Sequence, residues 1–127
     1  MDERIERALR RGHLIDITTT GRRTGQARRV ELVFHNIEGR IILSGMPGPR
    51  SWYANLLANP RFTFHLKGAV QADLAATARP ILEPAERRQV MEAVTANWGA
   101  SDRLETFIRR SPLVHVAFEG AQSSEAA

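Results

Sequence analysis

ITTTGRRTGQARRVELVF, residues 17 to 34, sets two alternating, β-branched runs on either side of a turn that carries Arg22, Arg23, Arg28 and Arg29. Ile and Thr suit a half-buried pleated strand, so Leu14 to Thr20 is predicted as the first strand and about Ala27 to Ile37 as the second. Between them, Gly21-Arg22-Arg23-Thr24-Gly25 reverses the chain, with two glycines able to take the positive φ that a tight turn needs. No Asp or Glu lies between Ile17 and Val30, so the turn concentrates positive charge. Basic side chains beside glycine N–H groups suit a phosphate, which guanidinium groups and a backbone nest can both hold. A solvated basic turn is the other reading.

Working outward, Asp2 to Gly12 places Ile5, Ala8 and Leu9 on one helical face, and Gly12 is a stop signal. Glu38-Gly39 ends the second strand, and Arg40 to Ser44 is a short apolar third strand. It runs into Gly45-Met46-Pro47-Gly48-Pro49, whose Gly and Pro content excludes regular structure. Ser51 is the expected N-cap of a brief helix, Trp52 to Ala58, closed by Asn59-Pro60. From Arg61 to Lys67, Phe62, Phe64 and Leu66 alternate with Arg61, Thr63, His65 and Lys67. After Gly68, Val70, Ala72, Leu74 and Ala76 alternate in the same way, which predicts a hairpin. A helix from Pro84 to Trp98 carries Val90, Met91 and Val94 on one face. A second, Asp102 to Arg110, carries Leu104, Phe107 and Ile108, and Leu113 to Glu119 is the last strand. Six strands in largely hairpin-linked order predict a small β-barrel, open or closed, with helices plugging its ends.

The 127 residues, 43% of them hydrophobic, suffice for one core, so residues 1–127 are expected to form a single domain with a frayed tail at 120–127. With no cysteine, the chain has no disulfide, thiolate metal site or thiol nucleophile, which fits a reducing cytoplasm. The charged N-terminus is unlike a signal peptide, and no apolar run is long enough to span a bilayer. Eighteen Lys+Arg against fourteen Asp+Glu give a net charge of +4, and Lys67 is the sole lysine. Arginine's planar fork favours phosphate and carboxylate partners.

Familiar reaction motifs are absent: there is no G-x-S-x-G, P-loop or G-x-G-x-x-G. His13, His35, His65 and His115 have no short ligand spacing and read as structural, so no metal ligand and no catalytic acid or base is assigned. The basic residues are not interleaved with aromatics as nucleic-acid binding would favour. Trp52 and Tyr53 read first as core residues.

Two motifs carry a family resemblance. Thr18-Thr19-Thr20-Gly21-Arg22-Arg23-Thr24-Gly25-Gln26-Ala27-Arg28, followed by Trp52-Tyr53-Ala54-Asn55-Leu56-Leu57-Ala58-Asn59-Pro60, resembles the deazaflavin-dependent nitroreductase family. This is the A branch of the flavin and deazaflavin oxidoreductases, and the resemblance runs from about Leu14 to Glu119. It implies an α+β fold of mostly β character: a six-stranded antiparallel split β-barrel, flavin-reductase and pyridoxamine-phosphate-oxidase-like, with a short helix and a C-terminal helical pair. It also implies the deazaflavin coenzyme F-420, with its phosphodiester and glutamate tail, FMN being the alternative cofactor. By motif position, Arg22, Arg23, Thr24 and Arg28 would meet the phosphate and acidic tail. Ser44, Gly45, Met46, Pro47 and Gly48, with Trp52, would lie along the deazaflavin ring.

The implied activity is hydride transfer from the reduced coenzyme to a quinone, enone or nitro compound. A flavin reductase of the same fold, or a carrier without turnover, are the alternatives. The chain departs from the family pattern in having Gly45-Met46-Pro47-Gly48 where better-known members place a lysine. It also has no tyrosine between Asn97 and Leu104. A quinone or other activated alkene is therefore the preferred acceptor class over a nitroimidazole. Barrels of this kind often pair through the sheet, which suggests a homodimer.

Overall fold

The computed structural model describes residues 1–12 and 14–120, so His13 and residues 121–127 of the expected tail lie outside it. In chain order the elements are α1 (Glu3–Arg11), β1 (Leu14–Thr20), β2 (Ala27–Ile37), β3 (Arg40–Ser44), α2 (Ser51–Ala58), β4 (Arg61–Leu66), β5 (Ala72–Pro80), α3 (Pro84–Asn97), α4 (Leu104–Arg110) and β6 (Leu113–Phe118). A single 3-10 turn, Ser101–Arg103, leads into α4, where the sequence had suggested uninterrupted helix. The strands form the expected six-stranded antiparallel barrel, closed in the order β1-β2-β3-β6-β5-β4.

Alternation explains the closure. Ile15 and Ile17 of β1, Phe34 of β2, and Phe62, Phe64 and Leu66 of β4 turn inward and are buried. Phe64 stands at the centre, edge-on to Phe34 at 5.3 Å and to Phe118 at 5.1 Å between ring centroids, and so joins β2, β4 and β6. Full burial of such a ring contributes about 2 to 3 kcal/mol. The seam between β1 and β4 pairs Ile17 with Phe64 and Ile15 with Leu66.

The helices are arranged differently from the expectation that all would plug the ends. Leu9 of α1 and Trp52 and Leu56 of α2 join the interior cluster. The C-terminal pair instead covers the outer wall. Ile42 of β3 and Leu113 of β6 face outward and pack with Val90, Met91 and Val94 of α3 and Phe107 of α4 in a second cluster. That is why β3 is a near-continuous apolar run: both its faces are covered.

Two boundaries also moved. Ser51 is the first helical residue of α2, and Arg50, in extended conformation, holds the cap position without a side-chain cap bond. Its guanidinium is spent on the loop, donating to the Met46 carbonyl at 3.1 Å and the Pro49 carbonyl at 2.9 Å. Strand β5 runs from Ala72 to Pro80, later and longer than the alternation from Val70 to Ala76 suggested, because its second half pairs with β6 from Ala76 to Pro80.

Candidate functional site

The β1–β2 turn closes on itself. Gly21 N–H donates to the Gln26 carbonyl at 2.8 Å, and Gly25 N–H donates to the Gly21 carbonyl at 2.9 Å. Gln26 N–H donates to Thr24 Oγ1 at 3.2 Å. Of the two glycines only Gly25 has positive φ, at 73°. Gly21 is needed for space: a Cβ there would lie 3.1 Å from Thr24 Oγ1 and 3.2 Å from the Gln26 carbonyl oxygen. Both glycine N–H groups are thus consumed by the turn, so the nest expected from the sequence is not on offer to an anion. The guanidinium groups are the charged donors that remain.

The pleat decides which ones. Arg28 pairs in register with Thr19 and Arg29 with Thr18, so neighbouring arginines leave the sheet on opposite faces. Arg28 lies with inward-facing Thr19 and Val30 at the barrel mouth. Arg29 goes outside, where its Nε binds Asp16 at 2.9 Å. Asp16 also receives Lys67 Nζ at 2.7 Å, and the Lys67 bond first, then the Arg29 bond, holds its carboxyl below its ordinary value of 3.8. Lys67 further pairs with Glu31. Arg29 therefore drops out of the basic cluster in which the sequence had placed it.

At the mouth, a cavity of about 560 Å³ is bounded by the turn on one side and the start of α2 on the other. Arg22, Arg23, Thr24 and Arg28 line it, as do Arg50 and Trp52. Among the described residues no acidic side chain lines it, and Arg22, Arg23 and Arg28 have no carboxylate partner. Trp52 is 8% exposed and serves both core and cavity.

Asn55 was not singled out by sequence reasoning, although it lies inside the second motif. Three residues after Trp52, it shares a helical face with it. Its Oδ1 accepts from the Arg22 backbone N–H at 3.1 Å and from Arg22 Nη1 at 3.0 Å, while its Nδ2 donates to Thr19 Oγ1 at 3.1 Å. One buried amide thus fastens the turn to α2 and aims Arg22.

The ring-side residues are placed apart. Ser44 is buried, its hydroxyl donating to the Pro112 carbonyl at 2.7 Å. Gly45 backs onto Pro112 and Arg50, and Met46 is exposed. None of Ser44, Gly45, Met46 and Pro47 lines the arginine cavity. Gly48 borders a neighbouring cavity of about 590 Å³, with Pro49, Tyr53, Arg109, Arg110 and Pro112. None of the described histidines lines either cavity. His65 bridges Thr18 and Asp73, at 2.7 Å to each, on the outside of the barrel.

A donor set of arginines without counter-charges, beside an indole, fits a ligand with an acidic tail and a flat ring. The family model for F420H2-dependent quinone reductases matches residues 2–119. The chain belongs to this family. Among solved structures, an F420-H2 dependent reductase (FDR-A) is 25% identical, with a TM-score of 0.62 over 82% of this chain and 93% of that one. A chain described as a domain-swapped dimer is also 25% identical, with a TM-score of 0.62 over 91% of this chain and 95% of the other. A Listeria innocua protein described as a candidate pyridoxamine 5′-phosphate oxidase shares the fold at 9% identity, with a TM-score of 0.68 and 92% of each chain covered. As a member of the quinone reductase family, the chain is an oxidoreductase that uses the deazaflavin coenzyme F-420 and passes hydride to an electron-poor acceptor. No helix among the described residues is long and apolar enough to cross a membrane.

Proposed function

We propose that the arginine cavity holds the coenzyme's phosphodiester and acidic tail, through Arg22, Arg23, Thr24 and Arg28, and that the acceptor is a quinone. The carrying observation is the gathering of these residues around one cavity that no carboxylate lines among the described residues. Arg22 is held ready by Asn55, so little side-chain entropy remains to be lost on binding. Trp52 offers an edge or face to the ring, and the loop from Gly45 to Gly48 leads into the helix that carries it. Ser44, tied to Pro112, fixes where that loop starts.

When bound, the reduced coenzyme supplies the hydride. The chain's part is to hold two partners in register and to keep water from between them. The neighbouring cavity at Pro49, Tyr53 and Pro112 suits the acceptor: its apolar walls match a flat ring, and Arg109 and Arg110 can stabilise negative charge developing on a quinone oxygen. Pairing of two copies through the barrel is part of this reading, supported by the relative described as a domain-swapped dimer. Residues 1–127 are read as a single domain in the cytoplasm.

The test is a fluorescence titration with the oxidised coenzyme, followed by turnover of the reduced coenzyme with menadione. Saturable quenching is expected, with Kd raised at least tenfold by Arg22→Ala combined with Arg23→Ala. An unchanged Kd in that variant would overturn the tail assignment. Arg110→Gln should lower kcat for menadione and leave the coenzyme Kd alone; if it changes neither, the acceptor assignment is lost. Sedimentation velocity on the unliganded protein reads the dimer directly.

A further inference from the structure

At the other end of the barrel lies a cavity of about 650 Å³, roofed by α1 and walled by the β4–β5 turn. It shares no residue with the arginine cavity at the mouth. Its floor is apolar, made by Leu14, Phe34, Leu66 and Val70. Its rim is cationic. Arg4, Arg7 and Arg11 stand at i, i+3 and i+7 along α1, on the face that borders the cavity, whereas Ile5 and Leu9 pack into the core. Lys67 also borders it, but its ammonium is spent on Asp16 and Glu31. Among the described residues no Asp or Glu lines this space, and none of the three arginines has a carboxylate partner.

An apolar floor under an uncompensated cationic rim has a definite chemical complement. Neutral apolar molecules would leave the guanidinium groups unpaired, and small inorganic anions would leave the floor uncovered. A cavity of this size falls in the range of roughly 300 to 1,000 Å³ that takes small organic ligands. We infer that it is a second binding site, for an amphiphilic carboxylate with an unbranched apolar chain, whose head pairs with Arg7 and Arg11 and whose chain lies on the half-buried Leu14 and Val70. Arginine forks suit a carboxylate head because they bind it in two-point fashion. Helix α1 also buries Leu9 and accepts Asn36 Nδ2 at its Leu9 carbonyl, 3.0 Å away, so the rim is anchored to the barrel before any ligand arrives.

The probe is dodecanoate, titrated calorimetrically into the 127-residue chain below its micelle concentration and without coenzyme. One equivalent is expected to bind. Octanoate should bind more weakly, by roughly tenfold for each two methylenes removed, and dodecanol and acetate weakly or not at all. Arg7→Gln combined with Arg11→Gln should weaken dodecanoate at least tenfold, with the helical circular dichroism unchanged. Arg10→Gln, on the same helix but away from the cavity, should leave it as it was. The Arg22→Ala, Arg23→Ala variant separates the two ends: binding that survives there belongs to the α1 cavity, and binding lost there belongs to the coenzyme site and overturns the inference. Three other results overturn it as well: no heat from dodecanoate, equal affinity for dodecanol, or protein that sediments with phosphatidylglycerol vesicles while ignoring the free acid. None of these outcomes bears on coenzyme binding, which is read by its own titration.

Discussion

At the scale of the residue, Arg28 and Arg29 separate most cleanly. They are adjacent in sequence and identical in chemistry, yet the two-residue period of a strand sends one to the cavity and the other to Asp16. Arg28→Gln is expected to weaken coenzyme binding about tenfold, whereas Arg29→Gln should change it less than twofold and leave the urea midpoint nearly where it was, since exposed ion pairs contribute little. Equal effects on the titration would refute the division of faces. His35 makes a second case. It is buried against Trp98, 4.7 Å between ring centroids, and burial brings its pKa down from 6.5 to about 4. Asn97 Nδ2 lies 3.3 Å from its Nδ1, and its Nε2 has no hydrogen-bond partner among the described residues. The unfolded chain takes up this proton as pH falls through about 6.5, and the folded protein resists until about 4. Stability is therefore complete above the higher value and is lost on the way down to the lower one, by up to about 3 kcal/mol. Urea unfolding at pH 7 and pH 5 should reveal the loss, and His35→Leu should flatten it. Parallel slopes in the two proteins would count against His35 as the source.

At the scale of the element, the turn and α2 act as one unit through Asn55. Asn55→Ala removes both acceptances from Arg22 and the donation to Thr19, leaving buried groups unpaired at a cost of about 1 to 3 kcal/mol. Coenzyme affinity should fall with it, because Arg22 is no longer aimed; a variant as stable and as tight-binding as the parent would break the proposed link. Gly21→Ala probes the turn alone, since its Cβ must displace Thr24 or the Gln26 carbonyl. Helix α3 is held by a comparable device. Arg87 donates to the carbonyls of Ile108, Ile81 and Ser111 at 2.7 to 2.8 Å, tying three segments together. Arg87→Met is expected to cost about 3 kcal/mol, read as a lower urea midpoint, because three carbonyls lose their donor. A midpoint unchanged from the parent would show that water replaces it freely.

At the scale of the molecule, the barrel has two cores and two usable ends. The interior cluster centres on Phe64, and Phe64→Ala should destabilise by about 3 to 5 kcal/mol, visible in thermal unfolding as a large drop in midpoint. The outer cluster fixes α3 and α4 to β3 and β6, and leaves the two ends to α1 and α2. Each end then carries a cavity bordered by arginines and, among the described residues, by no acid, one proposed for the coenzyme and one for an amphiphilic acid. Separation by the packed interior lets the two be altered independently.

By itself the sequence determined nearly every element, because alternation, glycine and proline are local signals. The first three strands fall on the residues read from the pattern, and the basic turn was legible because no acid interrupts it. Local signals carry no information about which distant strands meet. The pairing of β1 with β4 and of β3 with β6 was decided only when the interior faces closed on one another. The same closure sent the C-terminal helices to the outer wall and brought Asn55 to Arg22, 33 residues away. It also spent the glycine N–H groups and removed Arg29 from the site. Side-chain type fixed what the site could bind, and tertiary contact fixed which side chains were left free to bind it.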